Sequence, residues 1–528
     1  MRFFRWALLA VLLSILGMAV YQTMLWYGFW GNLNDSQVKT LDDDDQEIAF
    51  IEPATSIDDW GRLVSAVKLL QIDWPKINPK LPTLTISDAA AFPKRTADVP
   101  EIALALTTAP HPTLRLRWYK ITGEHDAASW IRKLQGRKRP PLAILGGATS
   151  DRAVRMAQAL QATYPNAGQP SPVFLITTAT SEKTAEDKLL IDEYPERSFR
   201  YSFTNKKMVE ALLKFVKQTP DLWVTKSGPP PAAARMHTIV WKDERYSQDL
   251  NELFADEFKK VLPKGEFNPE GSIPYSVGDF FQPSPLEQYM VGLLLSEEIA
   301  PQSFLVLPTQ SVRMRRFLIN LYQRSPRDAR NLAILNGDAI SFNTVYRDRD
   351  VLWNILDVPY SLVFFSHRNP IDRAAGFRRT EEVRDDFADV FPQRSTTGTH
   401  DVLLYRDILE SVLYAAYDAH GNLLGDSLKL RERLRATAWY QPPPDRREAA
   451  RVCNTELHAF EPRPAPFFTR KGNRSRDTGE HIVWVKPNFT EDRVDLTSQI
   501  SVWSMLPDTQ GAEWKVVESF PAKYNQNR

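Results

Sequence analysis

Two short loops rich in hydroxyl groups are the part of the sequence best suited to bind a ligand. Residues 146–150 read GGATS and residues 177–181 read TTATS, and each loop directly follows an apolar run, at 142–145 and 173–176. In open α/β sheets, ligands bind outside the carboxyl ends of the strands, where helix N-termini aim free N–H groups at anions. Ser150 can therefore offer its hydroxyl to a ligand carboxylate.

Ser150, Thr178 and Thr180 are the candidate ligand residues of these loops. Two neighbouring strand ends that both carry hydroxyls predict one shared polar pocket that faces a second lobe. The alternative interpretation is that Ser150 only caps the helix that follows it, a role that serine often fills. The loops by themselves leave both interpretations open.

Motifs typical of enzymes are missing from the sequence. There is no GxGxxG or GxxxxGK[ST] phosphate loop, no GxSxG nucleophile elbow and no HExxH zinc motif. The 8 histidines are scattered, and Cys453 is the single cysteine, which excludes a CxxC metal site. The acidic run at 42–45 lacks the alternating ligands of a calcium loop. We therefore predict a binding protein with no catalytic residue, no metal and no cofactor.

Length and charge narrow the class further. A chain of 528 residues exceeds one ordinary domain, so two α/β lobes are expected. Lys and Arg total 66 against 65 Asp and Glu, which gives a net charge of +1. This balance argues against a nucleic-acid partner, because such binding depends on concentrated positive charge.

The N-terminal segment predicts a membrane anchor. Arg2 and Arg5 precede an apolar run over residues 6–30, which is long enough to cross a bilayer. An acidic spacer over residues 32–45 follows, so the positive-inside rule places the rest of the chain outside the cytoplasm. We interpret residues 1–31 as an uncleaved signal anchor in the inner membrane with the body in the periplasm. A cleaved signal peptide is the alternative.

The elements that must position the two loops alternate as in parallel α/β folds. A first set ends near residue 218 and carries an insertion at 73–100. Its predicted strands are 47–51, 114–119, 142–145 and 173–176, and its predicted helices are 59–70, 126–134, one opening at Ser150, and 208–216.

A second set begins after the proline-rich stretch 228–231. Its predicted strands are 237–241, 303–307, 332–335 and 360–365, with a helix around 250–261; a helix at 402–417 and strands at 481–485 and 500–503 come later. We therefore predict an α/β protein of two doubly wound, Rossmann-like lobes with a cleft between them. The first lobe takes residues 46–218 and 366–440, and the second takes 236–365 and 460–528, including the C-terminal strands.

Several segments in order resemble one known family. They are IAFIEPATSIDDWG, LAILGGATSDRAVRMAQAL, SPVFLITTATSEKT, YPERSFRYSFTN and TIVWKDERYSQDLNELFADEF, all within residues 48–258. This series is similar to the leucine/isoleucine/valine-binding proteins, the substrate-binding components of ABC transporters with the type I periplasmic-binding fold. The resemblance extends over about residues 46–430 and is closer in the first lobe.

The resemblance implies roles for residues of the first lobe. In that family an aromatic-glycine pair opens the first helix, which Trp60-Gly61 matches. A serine that ends a glycine-containing loop holds the α-carboxylate of the ligand, and Ser150 matches it. The next loop binds the α-amino and carboxylate groups, and Thr178 and Thr180 occupy the corresponding places.

In the second lobe the resemblance implies two further ligand residues. Tyr246 stands where the family has a tyrosine that closes over the ligand, although Ser247 replaces the glycine that usually follows it. Asp338 stands where an acidic residue often takes the ammonium group. Residues 309–311 replace an aromatic residue of the family, and the insertion at 73–100 has no counterpart.

The function implied is that of an extracytoplasmic receptor for a small polar ligand, an amino acid or related carboxylate, acting with an ABC permease. Hinge closure would let the second lobe cover a ligand held by the first. One alternative is a membrane-anchored sensor or scaffold on the same fold without a transport role. A more remote one is an α/β hydrolase or transferase, since a fold does not determine a function.

Overall fold

The computed structural model describes more than half of the chain. The described residues are 14, 16–18, 41, 44–54, 57–77, 83–87, 99–106, 113–123, 125–219, 222, 235–242, 244–263, 265–273, 285–296, 303–324, 332–340, 360–367, 399–418, 420–436, 481–489, 494–508 and 511–523. The predicted anchor at 6–30 lies outside them, except for residue 14 and residues 16–18. Within the described ranges, no helix combines the length and the apolar character that a membrane span requires.

The first part of the chain builds one sheet. Its elements are β1 (Gln46–Pro53), α1 (Ile57–Ile77), β2 (Thr85–Ser87), β3 (Glu101–Ala105), β4 (Leu114–Ile121), α2 (Ala127–Gln135), β5 (Ala143–Gly146), α3 (Ser150–Thr163), β6 (Val173–Ile176), a 3-10 turn (Leu190–Glu193) and β7 (Ser198–Arg200). Strands β5 and β6 are buried along their whole length, as expected of central parallel strands covered on both faces. Helix N-caps favour asparagine, serine, threonine and aspartate. Asp126 fills this position in α2 and Thr149 fills it in α3.

The remainder builds a second sheet and the helices around it. Its elements are α4 (Asn205–Gln218), β8 (Arg235–Trp241), α5 (Arg245–Val261), β9 (Glu266–Ile273), α6 (Pro285–Ser296), β10 (Ser303–Val306), α7 (Ser311–Arg324), β11 (Leu332–Asn336), β12 (Ser361–Ser366), α8 (Thr399–Ala416), α9 (Ser427–Arg435), β13 (His481–Phe489), β14 (Val494–Asp508) and β15 (Gly511–Lys523).

Both sheets share one strand order in their parallel parts. The first sheet runs β2-β3-β4-β1-β5-β6-β7, and its last five strands in that order are parallel. The second runs β15-β14-β13-β12-β11-β10-β8-β9, and β9-β8-β10-β11-β12 are parallel. Numbered within each lobe, both parallel parts follow the order 2-1-3-4-5 of flavodoxin-like folds. The α/β prediction is confirmed, with mixed sheets.

Antiparallel strands extend each sheet at one edge. Strand β2 lies within the predicted insertion at 73–100, and β3 follows it directly. Strand β3 pairs antiparallel with β4, and β2 pairs antiparallel with β3. At this edge Glu101 binds Arg115 and Arg117 at 2.8 and 2.6 Å. Strands β13, β14 and β15 form a meander that continues the second sheet from β12. The second sheet thus has one parallel part and one antiparallel edge.

Helices α8 and α9 return to the first sheet. Helix α8 packs along α1, and Ile408, Leu413 and Leu430 share a buried cluster with Phe50 and Trp118. The opposite face of the same sheet is covered by α2 and α3. The prediction that the late helix joins the first lobe agrees with this packing.

Helix α4 packs on the second sheet, whereas the predicted bounds put it in the first lobe. Met208, Leu212 and Phe215 lie in one buried cluster with Met236 and Phe254. The chain therefore crosses between the sheets before α4 and not at the proline-rich stretch after it. Proline marks a break in regular structure but does not show which sheet buries the apolar face of a helix.

Candidate functional site

The first lobe has its topological switch point between β1 and β5, where ligands bind in folds of this strand order. The loop after β5 turns tightly at Gly147, whose φ is +79° and whose Cβ, if present, would lie 2.9 Å from the Cβ of Ala153. This turn brings Thr149 to the start of α3, where its Oγ1 accepts a hydrogen bond from the Arg152 amide at 3.4 Å. Helix α3 thus begins directly at the strand end.

The structure brings Ser150, Thr178 and Thr180 into two adjoining loops. Ser150 is 3% exposed, and its Oγ accepts a hydrogen bond from the Ser181 amide at 3.3 Å. Thr178 Oγ1 donates to the carbonyl of Ala148 at 2.9 Å. Because Ser150 accepts in this bond, its hydroxyl proton is still available to a ligand, whereas that of Thr178 is used within the chain. Their assignment as ligand residues stays a prediction.

Trp60 belongs to the first turn of α1, and its side chain lies in the core between this helix and the first sheet. It is 1% exposed and packs edge-on against Trp118 with 5.9 Å between ring centroids. This position favours a packing role; the contact with a ligand that the resemblance implies stays a prediction.

In the second lobe the structure brings Tyr246 and Asp338 together. Tyr246 starts α5, and its hydroxyl accepts a hydrogen bond from the Ala339 amide at 3.3 Å. Burial raises the pKa of Tyr246 well above its ordinary value, so the phenol stays neutral. A Cβ at Gly337 would collide with this hydroxyl, which explains the glycine there. Tyr246 therefore supports the loop that carries Asp338.

Asp338 is tied to the segment where the chain crosses between the sheets. Its Oδ2 lies 2.7 Å from Nε2 of His367, which directly follows β12. Nδ1 of the same ring accepts from the Phe203 amide at 3.2 Å, so Nε2 carries the proton that bonds Asp338. The His367 ring also stacks on Phe203 at 5.6 Å. The contact with His367 gives Asp338 a structural role. Its role as a ligand residue stays a prediction.

A buried ion pair at the end of β1 was not found from the sequence. Glu52 is 1% exposed, and its Oε2 lies 2.6 Å from Nη1 of Arg152. Burial raises the pKa of Glu52 to about 7. Its Oε1 has no hydrogen-bond donor among the described residues. The one available signal was a glutamate that closes the apolar strand IAFIEP.

A second ion pair was missed at the end of β8. Glu244 Oε2 accepts from Thr309 Oγ1 at 2.8 Å and from Arg313 Nη1 at 2.6 Å. Burial raises the pKa of Glu244, and the negative charge of Asp151 on α3 raises it further. Helix α3, which carries Asp151, contacts α5, which begins directly after Glu244, so the two switch points meet where these helices touch.

The two lobes are also joined by a polar clamp next to the hydroxyl loops. Asp249 of α5 accepts hydrogen bonds from the amides of Glu182 and Lys183 at 3.1 and 3.3 Å and from Asn205 Nδ2 at 2.7 Å. Arg245 Nε donates to the carbonyl of Lys183 at 2.8 Å. Burial raises the pKa of Asp249, which these donors oppose. The first-lobe loop after β6 is thus held by the first turns of α5.

In the described part of the chain, no group of three or more His, Cys, Asp or Glu side chains is placed to hold a metal ion. The polar groups at the two switch points are hydroxyls, carboxylates and guanidinium groups. Such a set can bind a small charged or zwitterionic solute.

Comparisons with known proteins return solute-binding proteins. No protein-family model matches the chain, and no curated protein matches it. The chain is similar to the crystal structure of the leucine binding protein LivK from Thermotoga maritima, with 13% identity, 90% of this chain and 99% of that chain covered, and a TM-score of 0.47. The chain is also similar to LivJ from Streptococcus pneumoniae in complex with isoleucine. The identity is 13%, 91% of this chain and 99% of that chain are covered, and the TM-score is 0.45.

A third similar structure is a solute-binding protein of an ABC transporter from R. palustris in complex with 4-hydroxybenzoate. It is 11% identical, covers 91% of this chain and 98% of that chain, and has a TM-score of 0.47. These three proteins are ABC transporter substrate-binding proteins, the kind that the sequence motifs resemble.

Proposed function

We propose that the chain is a solute-binding receptor, anchored in the inner membrane through residues 6–30, whose body closes over a small polar ligand outside the cytoplasm. The observation that carries this proposal is the pair of sheets with one strand order, whose switch points are brought together by the contact between α3 and α5. Ligands of such folds bind at switch points. The ligand we propose is an amino acid or related carboxylate, and the partner an ABC permease.

Closure gives each lobe a separate task. The first lobe would hold the ligand with the free proton of Ser150 and the amides at the start of α3, since a helix N-terminus attracts anions. The second lobe would cover it with the groups around Glu244 and Tyr246. A ligand can drive closure only if it binds the closed form more tightly, which contacts from both lobes supply.

A sensor or scaffold role is the second candidate, and the polar clamp favours it. Asp249 joins the lobes through groups of the chain itself, and Thr178 donates its proton within its own lobe. A protein that keeps its lobes together in this way can present a fixed surface to a partner without binding a solute.

A thermal-shift screen of the purified full-length chain separates the two roles. A ligand that binds only the folded state raises the melting temperature, by an amount that grows with ligand concentration. We expect at least one amino acid or small carboxylate to do so, and Ser150→Ala to reduce the shift. If no member of a broad panel raises the melting temperature of the chain or of a loosened Asp249→Ala variant, the receptor proposal is wrong and the scaffold role stands.

A further inference from the structure

A cavity of about 580 Å³, the base cavity, lies at the end of the first sheet opposite the hydroxyl loops. It borders the amino ends of β1 and β5, at Gln46 and Leu142, whereas the hydroxyl loops follow the carboxyl ends of β5 and β6. Residues of the loop between α8 and α9 complete its lining. The volume falls in the range of small-molecule sites, roughly 300–1,000 Å³. The first lobe thus has a second place for a ligand, away from the interlobe cleft.

Two buried side chains of the lining have hydrogen-bond donors to spare. Gln46 is 8% exposed, and its side-chain amide bonds no residue that the structure describes. Its Nε2 lies beside Gly425, where an added Cβ would be 3.2 Å away. Ser427 is 7% exposed, and its Oγ accepts from the Ser171 amide at 3.0 Å, so its proton is still available. Because buried polar groups are normally hydrogen-bonded, both donors indicate a group inside the cavity.

Positive charge surrounds these donors. Lys138 and Arg139 belong to the lining, and Arg139 is half-buried without an ion pair to any described residue. Next to the cavity, Arg197 is 1% exposed and donates to Ser171 Oγ at 3.2 Å. The other hydrogen bonds of its guanidinium within the described ranges also go to neutral oxygens. Helix α9 begins at Ser427, and the N-terminus of a helix attracts anions. The buried side of the cavity therefore suits an anion.

Two carboxylates of the lining narrow the ligand further. Asp44 is exposed, and Asp426 accepts from the Leu428 amide at 2.9 Å as the N-cap of α9. Neither can bind an anion, but carboxylate oxygens accept from hydroxyl groups. A ligand that joins an anionic group to hydroxyls satisfies both kinds of side chain. The donors come from β1, from the loop before β5 and from α9, which suits the several oxygens of a phosphate better than the two of a carboxylate.

We propose that the base cavity binds the phosphate ester of a small polyol. Arg139, Gln46 and Ser427 donate to the phosphate oxygens. Asp44 and Asp426 accept from the hydroxyl groups of the polyol. This site is separate from the cleft, and its occupation does not depend on the solute that the cleft would bind.

Such an ester has two possible sources, a lipid headgroup and a free metabolite. The chain enters β1 beside the cavity, and the spacer at 32–45 reaches at most roughly 50 Å from the predicted anchor. The headgroup of phosphatidylglycerol, a phosphate joined to glycerol, therefore lies in the membrane next to the site. Free glycerol 1-phosphate offers the same chemistry.

Titration calorimetry on the full-length chain in phosphatidylcholine nanodiscs tests the free source. The probes are glycerol 1-phosphate, glycerol and ethanolamine. We expect glycerol 1-phosphate to bind and the two probes without phosphate not to bind. Tighter binding of ethanolamine than of glycerol 1-phosphate would show that Asp44 and Asp426 dominate the cavity, and it would overturn the inference.

Matched variants locate the bound phosphate. Arg139→Gln should weaken binding by about tenfold or more, the usual loss for a hydrogen bond to a charged group. Gln46→Met removes an amide that bonds no described residue, so it should weaken binding without lowering the melting temperature of the free chain. Arg132→Gln is the control, because this exposed arginine of α2 carries the same charge outside the lining. Equal losses for Arg139→Gln and Arg132→Gln, or no loss for Arg139→Gln and Gln46→Met, overturn the inference.

Nanodiscs that contain phosphatidylglycerol test the lipid source. A headgroup in the cavity should raise the melting temperature of the wild type above its value in phosphatidylcholine alone. Arg139→Gln should lose this rise and Arg132→Gln should keep it. The same headgroup should lower the apparent affinity for glycerol 1-phosphate by competition. A chain that binds the free ester but ignores the lipid has the free source as its ligand. If neither source is bound, the inference is wrong, whereas the proposed receptor role, which depends on the cleft, stands.

Discussion

Each of the two switch points carries a buried glutamate–arginine pair, and the two pairs are supported differently. In the first lobe Glu52, near the end of β1, binds Arg152, the third residue of α3. In the second lobe Glu244, the N-cap of α5, binds Arg313, the third residue of α7, and the distance is again 2.6 Å. Glu244 gains a second donor from Thr309, whereas Glu52 keeps one oxygen without a donor among the described residues.

The same strand order in the two lobes therefore does not give their two ion pairs the same electrostatic surroundings. A buried ion pair has a desolvation cost that its Coulomb attraction offsets only when further hydrogen bonds complete it. The second pair has such a bond from Thr309, and the carboxyl of Glu52 has the Ala148 amide as a further partner, but burial still raises the pKa of Glu52 to about 7. The first pair is therefore the one whose state a ligand or a pH change can alter.

Removing the arginines should give the largest contrast. Arg152→Met leaves the carboxylate of Glu52 buried without its cation, which should lower the free energy of unfolding by roughly 3–5 kcal/mol at pH 8. Arg313→Met should cost less, about 1–2 kcal/mol, because Glu244 retains Thr309 as a donor. Denaturant unfolding measures both. Equal losses would show that the two pairs are energetically the same.

The pH dependence of stability should differ between the lobes. The folded-state pKa of Glu52 is raised from 4.5 to about 7, so its contribution to stability is full below pH 4.5 and is lost as the pH rises through 7. The difference of about 2.5 pKa units corresponds to a loss of roughly 3 kcal/mol. Glu52→Gln should remove this part of the pH dependence. A wild-type profile between pH 4.5 and 7 that Glu52→Gln leaves unaltered would contradict the assignment.

Ligand binding should depend more on the first lobe. Ser150→Ala removes a hydroxyl that accepts, and does not donate, in its hydrogen bond with the Ser181 amide, so it should weaken the binding of a carboxylate-bearing ligand by roughly 10- to 150-fold. Thr178→Val is the matched control, because the Thr178 proton already bonds Ala148. Titration calorimetry compares them. A larger loss for Thr178→Val than for Ser150→Ala would reverse the assignment.

The smallest effect should come from making the second pair resemble the first. Thr309→Ala removes the additional donor to Glu244, so the pKa of Glu244 should rise further and the free energy of unfolding at pH 8 should fall by about 1 kcal/mol. At pH 5 the loss should be smaller, because a protonated Glu244 needs this donor less. An equal loss at the two pH values would show that packing and not charge decides the effect.

Local sequence patterns predicted most of the central strands and several helices, but they missed β7, β9, β15, α6, α7 and α9 and did not indicate the pairs between elements. The buried strands at 142–145 and 173–176 could be read because apolar runs between turn residues are a local signal. Asp249 and Glu182 are separated by 67 residues and Glu52 and Arg152 by 100, so no local pattern links them. The family resemblance supplied Ser150 and Tyr246, but it implied no role for the charged residues of the same segments, such as Arg152 and Glu244.

The edges of the fold were harder to predict for a related reason. Strand β3 is short and lies beside β4, where pairing with a neighbour and the ion pairs of Glu101 stabilise it more than its own sequence does. Helix α4 has an ordinary amphipathic pattern, and that pattern fits the face of either sheet. Only the side chains of the second sheet, Met236 and Phe254 among them, determine where it packs.

The C-terminal meander has a consequence for how the chain acquires its structure as it is made. Phe215 of α4 packs against Trp484, Trp503 and Trp514, with ring centroids 6.4, 5.2 and 5.8 Å away. These tryptophans follow Phe215 by some 270–300 residues, and contacts of such long range form late. A chain that emerges N-terminus first would therefore leave the apolar face of α4 without its tryptophan partners until these had been made, and such transiently exposed apolar surface is prone to aggregation.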